Sequence, residues 1–250
     1  MTTGAIAAST LVVGAVLAYV LRPSARLIAA VMAAGSGLLI GSVAYDLVED
    51  AHLTLGVPMI AVSLLAGAGA FVLGTRLIER RGGAGRKRPT DPVPAGTSRD
   101  ADEDGEADQP LAIVLGSVLD GVPESLVLGM SVLHGGLPVP LLVGIGLSNL
   151  PEGMAAASGL RARGWPLLRT VGLWLVVVAV SAVAAGVGHE VLGVRDVMWM
   201  GIAQTFAAGA LLAMIADTMV PEAYAVERSW TGLMVVAGFA GSLLLAVWLG

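Results

Sequence analysis

Stretches of about 20 apolar residues fill most of this 250-residue chain, and they limit its possible folds more than any other feature. Eight can be counted, at 4–21, 27–48, 54–78, 110–133, 138–160, 165–188, 197–222 and 230–249. A helix needs roughly 20 residues to cross about 30 Å of hydrocarbon. Charged residues make up 13% of the chain, half of the roughly 25% that is usual in soluble domains, and the mean hydropathy is +0.84. The sequence predicts an all-α, polytopic membrane protein with eight transmembrane helices.

Net charge and cysteine content exclude several functions. The formal net charge is −5, which does not fit a nucleic-acid partner, and the chain has no cysteine. Zinc sites made of cysteines and cysteine nucleophiles are therefore impossible. An intramembrane protease or metallopeptidase would need a Ser–His pair or a zinc site made of histidines. None of the three histidines lies near the middle of a predicted span, so we expect no enzyme.

The basic residues predict how the spans are oriented. The first stretch is not preceded by positive charge, as a signal peptide would be, and Arg22 and Arg26 follow it instead. With both termini outside, 13 of the 14 Lys and Arg residues fall on the inner side, and Arg195 alone falls outside. Because basic residues concentrate in cytoplasmic loops, we expect both termini outside.

Residues 79–109 are the one long interruption between spans. They are rich in charge, glycine and proline, and they end in an acidic run from Asp100 to Asp108. Such a composition cannot offset the entropy cost of ordering the chain. We predict helices one to three in 1–78, a disordered cytoplasmic loop in 79–109 and helices four to eight in 110–250, all in one membrane domain. A regulatory or partner-binding role for the loop stays open.

Two pairs of segments suggest inverted repeats. Residues 37–51 resemble residues 209–223 when the chain is shifted by 172 positions, and Asp50 then falls on Glu222. Residues 120–125 and 148–153 both carry Pro-Glu near the middle of spans four and five. Members of each pair cross the membrane in opposite directions in the predicted topology. Repeats of opposite direction are typical of transporters, although chance similarity of small residues also remains open for the first pair.

The middle of spans four and five carries the chemistry. A carboxylate at the bilayer centre costs about 2.5–3.5 kcal/mol, and Asp120, Glu124 and Glu152 all lie near that depth. The spacing of i and i+4 puts Asp120 and Glu124 on one helix face, and it puts Ser148 and Glu152 on another. Proline also frees the backbone carbonyl four residues earlier. We predict a cation site made of these groups and Asn149.

Further acids lie at the ends of two spans. Asp46 and Asp50 are near the outer end of span two, and Asp217 and Glu222 are near the inner end of span seven. They are candidate metal ligands along an access path. Ordinary solvated helix ends explain them equally well.

These residues resemble the ZIP (Zrt- and Irt-like) family of divalent-metal transporters, especially its bacterial branch. The likeness includes eight spans, outer termini, a long loop after span three, and the Pro-Glu motifs of spans four and five. Segments 206–210 and 220–222 resemble the seventh span of the family. The resemblance implies transport of zinc, or else iron or manganese, toward the cytoplasm. It also implies a homodimer in the inner membrane, with the metal ion as substrate and no cofactor.

The chain departs from the family at several ligand positions. Asp120 stands where relatives have histidine, Ser148 replaces a histidine or glutamine, and Ala185 replaces a glutamate of span six. The remaining ligands are all oxygens, which suit harder ions such as manganese or magnesium. A degenerate family member that senses metal or acts as a scaffold without transport is the alternative function.

Overall fold

The computed structural model describes residues 2–80, 103–132, 139–192 and 196–249. Within these ranges every regular element is a helix, and no strand is found, so the all-α prediction is confirmed. The α-helices are α1 (Thr2–Val20), α2 (Ala25–Ser42), α3 (Asp50–His52), α4 (Val57–Arg80), α5 (Glu103–Ser131), α6 (Val139–Ala162), α7 (Leu167–Val187), α8 (Val197–Met214), α9 (Val220–Glu227) and α10 (Thr231–Leu249).

Several of these helices are long and apolar enough to cross a membrane. Five candidate spans occur in the described ranges: Thr2–Val20, Ala25–His52, Val57–Ile78, Leu167–Glu190 and Val197–Trp248. The last covers 52 residues and includes the break at Arg228, where φ is 48°. By length and composition, the prediction of helices that can span a membrane is therefore confirmed.

Among the residues that the structure describes, three segments are π-helical rather than α-helical. One is Val43–Glu49, between α2 and α3, and another is Ile215–Met219, between α8 and α9. Their first residues are 172 positions apart, which is the shift of the sequence repeat. The third, Gly188–Leu192, extends α7. π-Helical turns are rare and frequently occur at functional sites.

Glycines bring α2 and α10 into backbone contact. A Cβ atom on Gly37 would lie 1.9 Å from the carbonyl oxygen of Val235, and one on Gly238 would lie 2.0 Å from that of Ala34. No side chain larger than hydrogen fits at either position without a shift of the helices. Small residues at membrane-helix interfaces have this role generally.

The same crossing occurs between α4 and α8. A Cβ atom on Gly209 would lie 2.0 Å from the carbonyl oxygen of Leu64, and one on Gly67 would lie 1.8 Å from that of Phe206. The two α8 residues are each 172 positions after their α2 counterparts, Gly37 and Ala34. The two helix pairs therefore cross at equivalent positions.

A second pair of crossings joins α1 to α6 and α5 to α7. In each, two glycines face carbonyl oxygens of the other helix. The contacts are Gly14 to Leu150, Gly153 to Leu11, Gly188 to Leu126 and Gly129 to Ala185. Gly129 and Leu126 of α5 correspond to Gly153 and Leu150 of α6, which lie 24 positions later. The Pro-Glu motifs of the two helices are 28 positions apart, so the two spacings differ by about one helical turn.

Contacts along the helices fix their relative directions. The start of α1 meets α7 at Ser181, through Gly4, and the end of α1 meets the start of α7, where Tyr19 Oη lies 2.9 Å from Thr170 Oγ1. Helices α1 and α7 are therefore antiparallel. By similar contacts, α1 is parallel to α6, α2 to α10, α4 to α8 and α5 to α7, and α6 is antiparallel to α2 and α5.

Three arginine-bearing connections lie at one end of the bundle. Tyr19 Oη donates to the carbonyl of Trp165 at 2.7 Å, and the Arg161 guanidinium donates to the carbonyl of Ala18. These contacts bring the α1–α2 and α6–α7 connections together. Arg26 Nε lies 4.0 Å from Glu227 Oε1, which adds the α9–α10 connection. We call this the arginine end.

Only part of the predicted disordered loop, 79–109, lies within the residues that the structure describes. Helix α4 runs to Arg80 and α5 begins at Glu103, so the residues from 103 to 109 are helical and that part of the prediction is wrong. Acidic residues are favoured in the first turn of a helix by its dipole, which explains how an acidic run can begin one. Residues 81–102 lie outside the described ranges.

Candidate metal-binding site

Helices α5 and α6 bring the two Pro-Glu motifs side by side. Both helices continue through their prolines, Pro123 and Pro151. A proline has no N–H group, so the carbonyls of Leu119 and Leu147 lose their usual helical donor. These two carbonyl oxygens are additional acceptors beside the acidic side chains.

Glu124 is the centre of the cluster. It is buried on α5, with 2% of its surface exposed, and the side chain of Asn149 on α6 hydrogen-bonds to its carboxylate. The charges of Glu152 and Asp120 act on it. The Asn149 amide also donates to the carbonyl of Ala7 on α1 at 3.4 Å. Asn149 therefore links α1, α5 and α6 at the site.

Glu152 has its own hydrogen-bond donor. The hydroxyl of Ser117 on α5 donates to Glu152 Oε1 at 3.3 Å. Glu152 is half-buried, and Asp120 is buried at 6% exposure. The hydroxyl of Ser148 donates to the carbonyl of Ile145 in its own helix at 2.9 Å. That bond leaves the oxygen lone pairs of Ser148 as acceptors.

Helices α5 and α6 do not place a basic side chain beside these acids. Those two helices contain one Lys or Arg, Arg161, and its guanidinium is bound at the arginine end. In this cluster Asn149 bonds to Glu124 and Ser117 bonds to Glu152. A cation is the partner that three carboxylates attract most strongly.

The acids do not form a finished coordination shell. In the described part of the chain, no group of three His, Cys, Asp or Glu side chains is positioned to hold one metal ion. Instead, Glu124 and Glu152 bond to different donors, Asn149 and Ser117.

Helices α2 and α3, joined by the π-helical segment Val43–Glu49, form one continuous rod. Asp46 and Asp50 lie at the end of this rod opposite the arginine end. Asp46 belongs to the π-helical segment and is half-buried. Ser42 hydrogen-bonds to its carboxylate, and its Oδ2 atom is buried without a hydrogen-bond partner. The charge of the exposed Asp50 acts on it. These two acids form a pair separate from Glu124.

Asp217 and Glu222 lie on the rod formed by α8, the π-helical segment Ile215–Met219 and α9. Asp217 is exposed in the second π-helical segment, and Glu222 is half-buried in the first turn of α9. Helix α9 leads to Glu227 at the arginine end. The nine predicted site residues are therefore found in three places. Asp120, Glu124, Asn149 and Glu152 lie at the α5–α6 contact, and Ser148 lies on α6 with its backbone against Gly35 of α2.

Sequence reasoning missed two polar residues. Ser117 precedes Glu124 by seven positions, so it lies on the same face of α5, but a serine in a helix is not unusual. Gln204 on α8 is buried at 6% exposure and lines a cavity with Asp50. A single amide side chain within an apolar span was the signal that could have identified it.

No protein-family model matches this chain, and no curated protein does either. The resemblance to ZIP transporters therefore rests on the motifs of spans four, five and seven.

Proposed function

We propose that this protein carries divalent metal cations across a membrane toward the cytoplasm, through the acidic cluster between α5 and α6. One observation carries the proposal: Glu124 is buried at 2% exposure beside the charges of Glu152 and Asp120. Burying a carboxylate is costly at membrane depth. A chain that keeps three carboxyls together there gains by binding a cation.

The proposal includes eight membrane spans. The rods would be α1, α2–α3, α4, α5, α6, α7, α8–α9 and α10, and successive rods would cross in opposite directions. The parallel and antiparallel contacts among α1, α2, α5, α6, α7 and α10 support this alternation. The gathering of three arginine-bearing connections at one end supports a cytoplasmic arginine end, with both termini at the opposite side.

The proposal also includes an inverted repeat that relates the first three rods to the last three. The equal shift between the π-helical segments supports it. So do the crossings of Gly37 with Val235 and of Gly209 with Leu64, which occur at equivalent positions. Transporters with inverted repeats bind substrate near the bilayer centre, at the interface of the repeats. Helices α5 and α6 fill that central position.

The oxygen ligands suggest how binding would proceed. An arriving cation replaces the hydrogen bonds of Asn149 and Ser117 as the partner of Glu124 and Glu152. The carboxylates then turn toward the ion, together with Asp120 and the freed carbonyls. Resemblance favours zinc, or iron or manganese, and an all-oxygen site favours the harder ions. Resemblance also suggests a homodimer in the inner membrane of a bacterium.

Metal uptake into proteoliposomes tests the proposal. Zinc and manganese are each offered outside vesicles that contain the purified full-length chain, and ion-sensitive dye inside reports their entry. Glu152→Gln keeps the side-chain volume but removes one charge, so we expect uptake to fall at least tenfold, the effect of about 1.4 kcal/mol. Glu190→Gln is the matched control, because Glu190 is exposed on the π-helical end of α7. Normal uptake by Glu152→Gln would contradict the proposed site.

A non-transporting metal sensor or scaffold is the second candidate. The observation in its favour is that the described acids do not converge on one ion. This alternative predicts metal binding to the purified chain that depends on Glu124 and Glu152, with no uptake into vesicles. Equal entry into protein-containing and empty vesicles, together with such binding, would favour it.

A further inference from the structure

A second polar site lies in a cavity at the end of the molecule opposite the arginine end. The cavity has a volume of about 270 Å³ and lies between the α3–α4 connection and the start of α8. Its polar side chains are Asp50, Thr54 and Gln204, and the rest of its lining is apolar. The acidic cluster of α5 and α6 does not contribute to this lining.

Gln204 is the observation that points to a ligand. Its side chain is more than nine-tenths buried, it lines the cavity, and it has no hydrogen-bond partner within the described ranges. The Gln204 amide atoms are not among the fully buried polar atoms that lack a partner, so they open into the cavity. Water or a ligand inside the cavity is therefore the partner available to this amide.

The other polar groups present oxygen atoms to the same space. Asp50 supplies a carboxylate to the lining, and its charge acts on Asp46, which lies outside the lining and has one buried oxygen without a partner. The Thr54 hydroxyl donates to the Ala51 carbonyl at 3.2 Å, so its lone pairs remain as acceptors. A carboxylate, an amide oxygen and a hydroxyl are the ligands that hard divalent cations prefer.

The size of the cavity fits a cation that keeps its water. Six water molecules occupy roughly 180 Å³ at about 30 Å³ each, which is less than the 270 Å³ available. One carboxylate and two neutral oxygens cannot replace a full hydration shell. They can hold a hydrated ion by hydrogen bonds and by charge.

We propose that this cavity is a low-affinity capture site for hydrated divalent cations, in which Asp50 supplies charge while Gln204 and Thr54 bind through neutral oxygens. The site raises the local cation concentration on the outer side, before the ion loses water and reaches the α5–α6 cluster. Its role in uptake rests on the proposed function, but its ability to bind a cation does not.

Manganese binding tests the cavity without any transport. The full-length chain is purified with the double change Glu124→Gln and Glu152→Gln, and free Mn²⁺ is measured by electron paramagnetic resonance. We expect one weak Mn²⁺ site to remain. Asp50→Asn should weaken it about tenfold, because the attraction between the ion and the carboxylate is lost, and Gln204→Leu should weaken it several-fold.

Glu49→Gln is the matched control, since Glu49 precedes Asp50, is exposed and does not line the cavity. It should change the affinity less than twofold. If Glu49→Gln weakens binding as much as Asp50→Asn, the binding is diffuse surface attraction and the proposal is wrong. Unchanged binding in Asp50→Asn also overturns it. Thr54→Val replaces Gln204→Leu if the latter is not recovered as a folded protein, and unchanged binding in that variant likewise counts against the site.

Uptake kinetics separate this inference from the proposed function. In proteoliposomes, Asp50→Asn should raise the KM for Mn²⁺ about tenfold while the maximal rate stays within twofold. A normal KM alongside normal wild-type uptake refutes the capture role and leaves the transporter intact. Absence of wild-type uptake refutes the transporter, and the manganese binding measurement still decides whether the cavity holds a cation.

Discussion

Replacing Gly67 with alanine should destabilise the protein, whereas the same change at Gly69 should not. Both glycines lie in α4, two residues apart. A Cβ atom on residue 67 would lie 1.8 Å from the carbonyl oxygen of Phe206 on α8, and one on residue 69 would have nothing within 4 Å. Because both variants change helix propensity by the same amount, their difference isolates the contact between α4 and α8.

The size of that difference follows from the contact distance. An ordinary van der Waals contact begins at 3.4 Å, so α4 and α8 must separate by on the order of 1.5 Å to accept the methyl group. A gap of even 0.5–1 Å forfeits roughly a quarter to a half of each dispersion contact beside it. Overpacking of this kind costs about 1–3 kcal/mol. A carbonyl oxygen of the backbone cannot move aside, so we expect about 3 kcal/mol between the two variants.

The assay is a reversible unfolding titration with sodium dodecyl sulfate in mixed micelles, followed by circular dichroism. The repeat supplies a second pair with the same geometry. In α10, a Cβ on Gly238 would lie 2.0 Å from the Ala34 carbonyl, and one on Gly232 would have open space. Gly238→Ala and Gly232→Ala should therefore differ as much as the α4 pair. Differences below about 0.5 kcal/mol, the usual size of neutral surface changes, would refute the reasoning from close helix crossing.

Three further experiments have defined expected outcomes. Asp120→His should raise the ratio of zinc to manganese uptake, because imidazole suits zinc better than a carboxylate does; an unchanged ratio would mean that Asp120 does not face the metal. Ligand carboxyls must lose any proton they hold before they bind a metal ion. The heat of metal binding should therefore vary with the ionisation enthalpy of the buffer, and the affinity for metal should fall as pH falls. Equal heats in two buffers would contradict proton release. Tyr19→Phe should cost about 1 kcal/mol of stability, since Tyr19 bonds to Trp165 and Thr170, while Phe at the exposed Tyr224 should be neutral; equal melting temperatures would contradict the first expectation.

Much of the helical layout could be predicted from the sequence, because long apolar stretches leave few alternatives. The predicted span 197–222 starts where α8 starts, and the predicted span 230–249 matches α10 to within one residue at its start. Charge and proline set the breaks, as at Arg228. The start of α5 was missed because acidic residues suit both a solvated loop and a helix N-terminus.

The π-helical segments could not be predicted. A switch from α to π changes which carbonyl accepts each N–H bond, and it leaves no pattern of apolar residues. The switch at Val43 nevertheless includes Asp46, so it decides where one acid of the Asp46–Asp50 pair lies.

The central acids could be predicted because carboxylates are rare in apolar spans, and Glu124 is as buried as that argument requires. Their hydrogen-bond partners could be predicted only in part. Asn149 was included because it lies in the motif, whereas Ser117 lies outside it and its role depends on the antiparallel contact of α5 with α6. The cavity around Gln204 depends on α8 meeting the α3–α4 connection, which no local sequence feature reveals.

In the proposed transporter, symmetric packing and asymmetric charge have different consequences. Equivalent glycine crossings on the two sides of the bundle, as at Gly37 and Gly209, make the packing energies of outward-open and inward-open states similar. A small difference in free energy between two states allows a bound ion to shift their populations. The acids recur, since Glu222 falls on Asp50 in the shifted alignment, but arginines gather at the end near Glu222 whereas Asp50 lines a cavity at the opposite end. A cation is therefore attracted to the acidic end and repelled from the arginine end, so binding from outside is favoured over rebinding from inside.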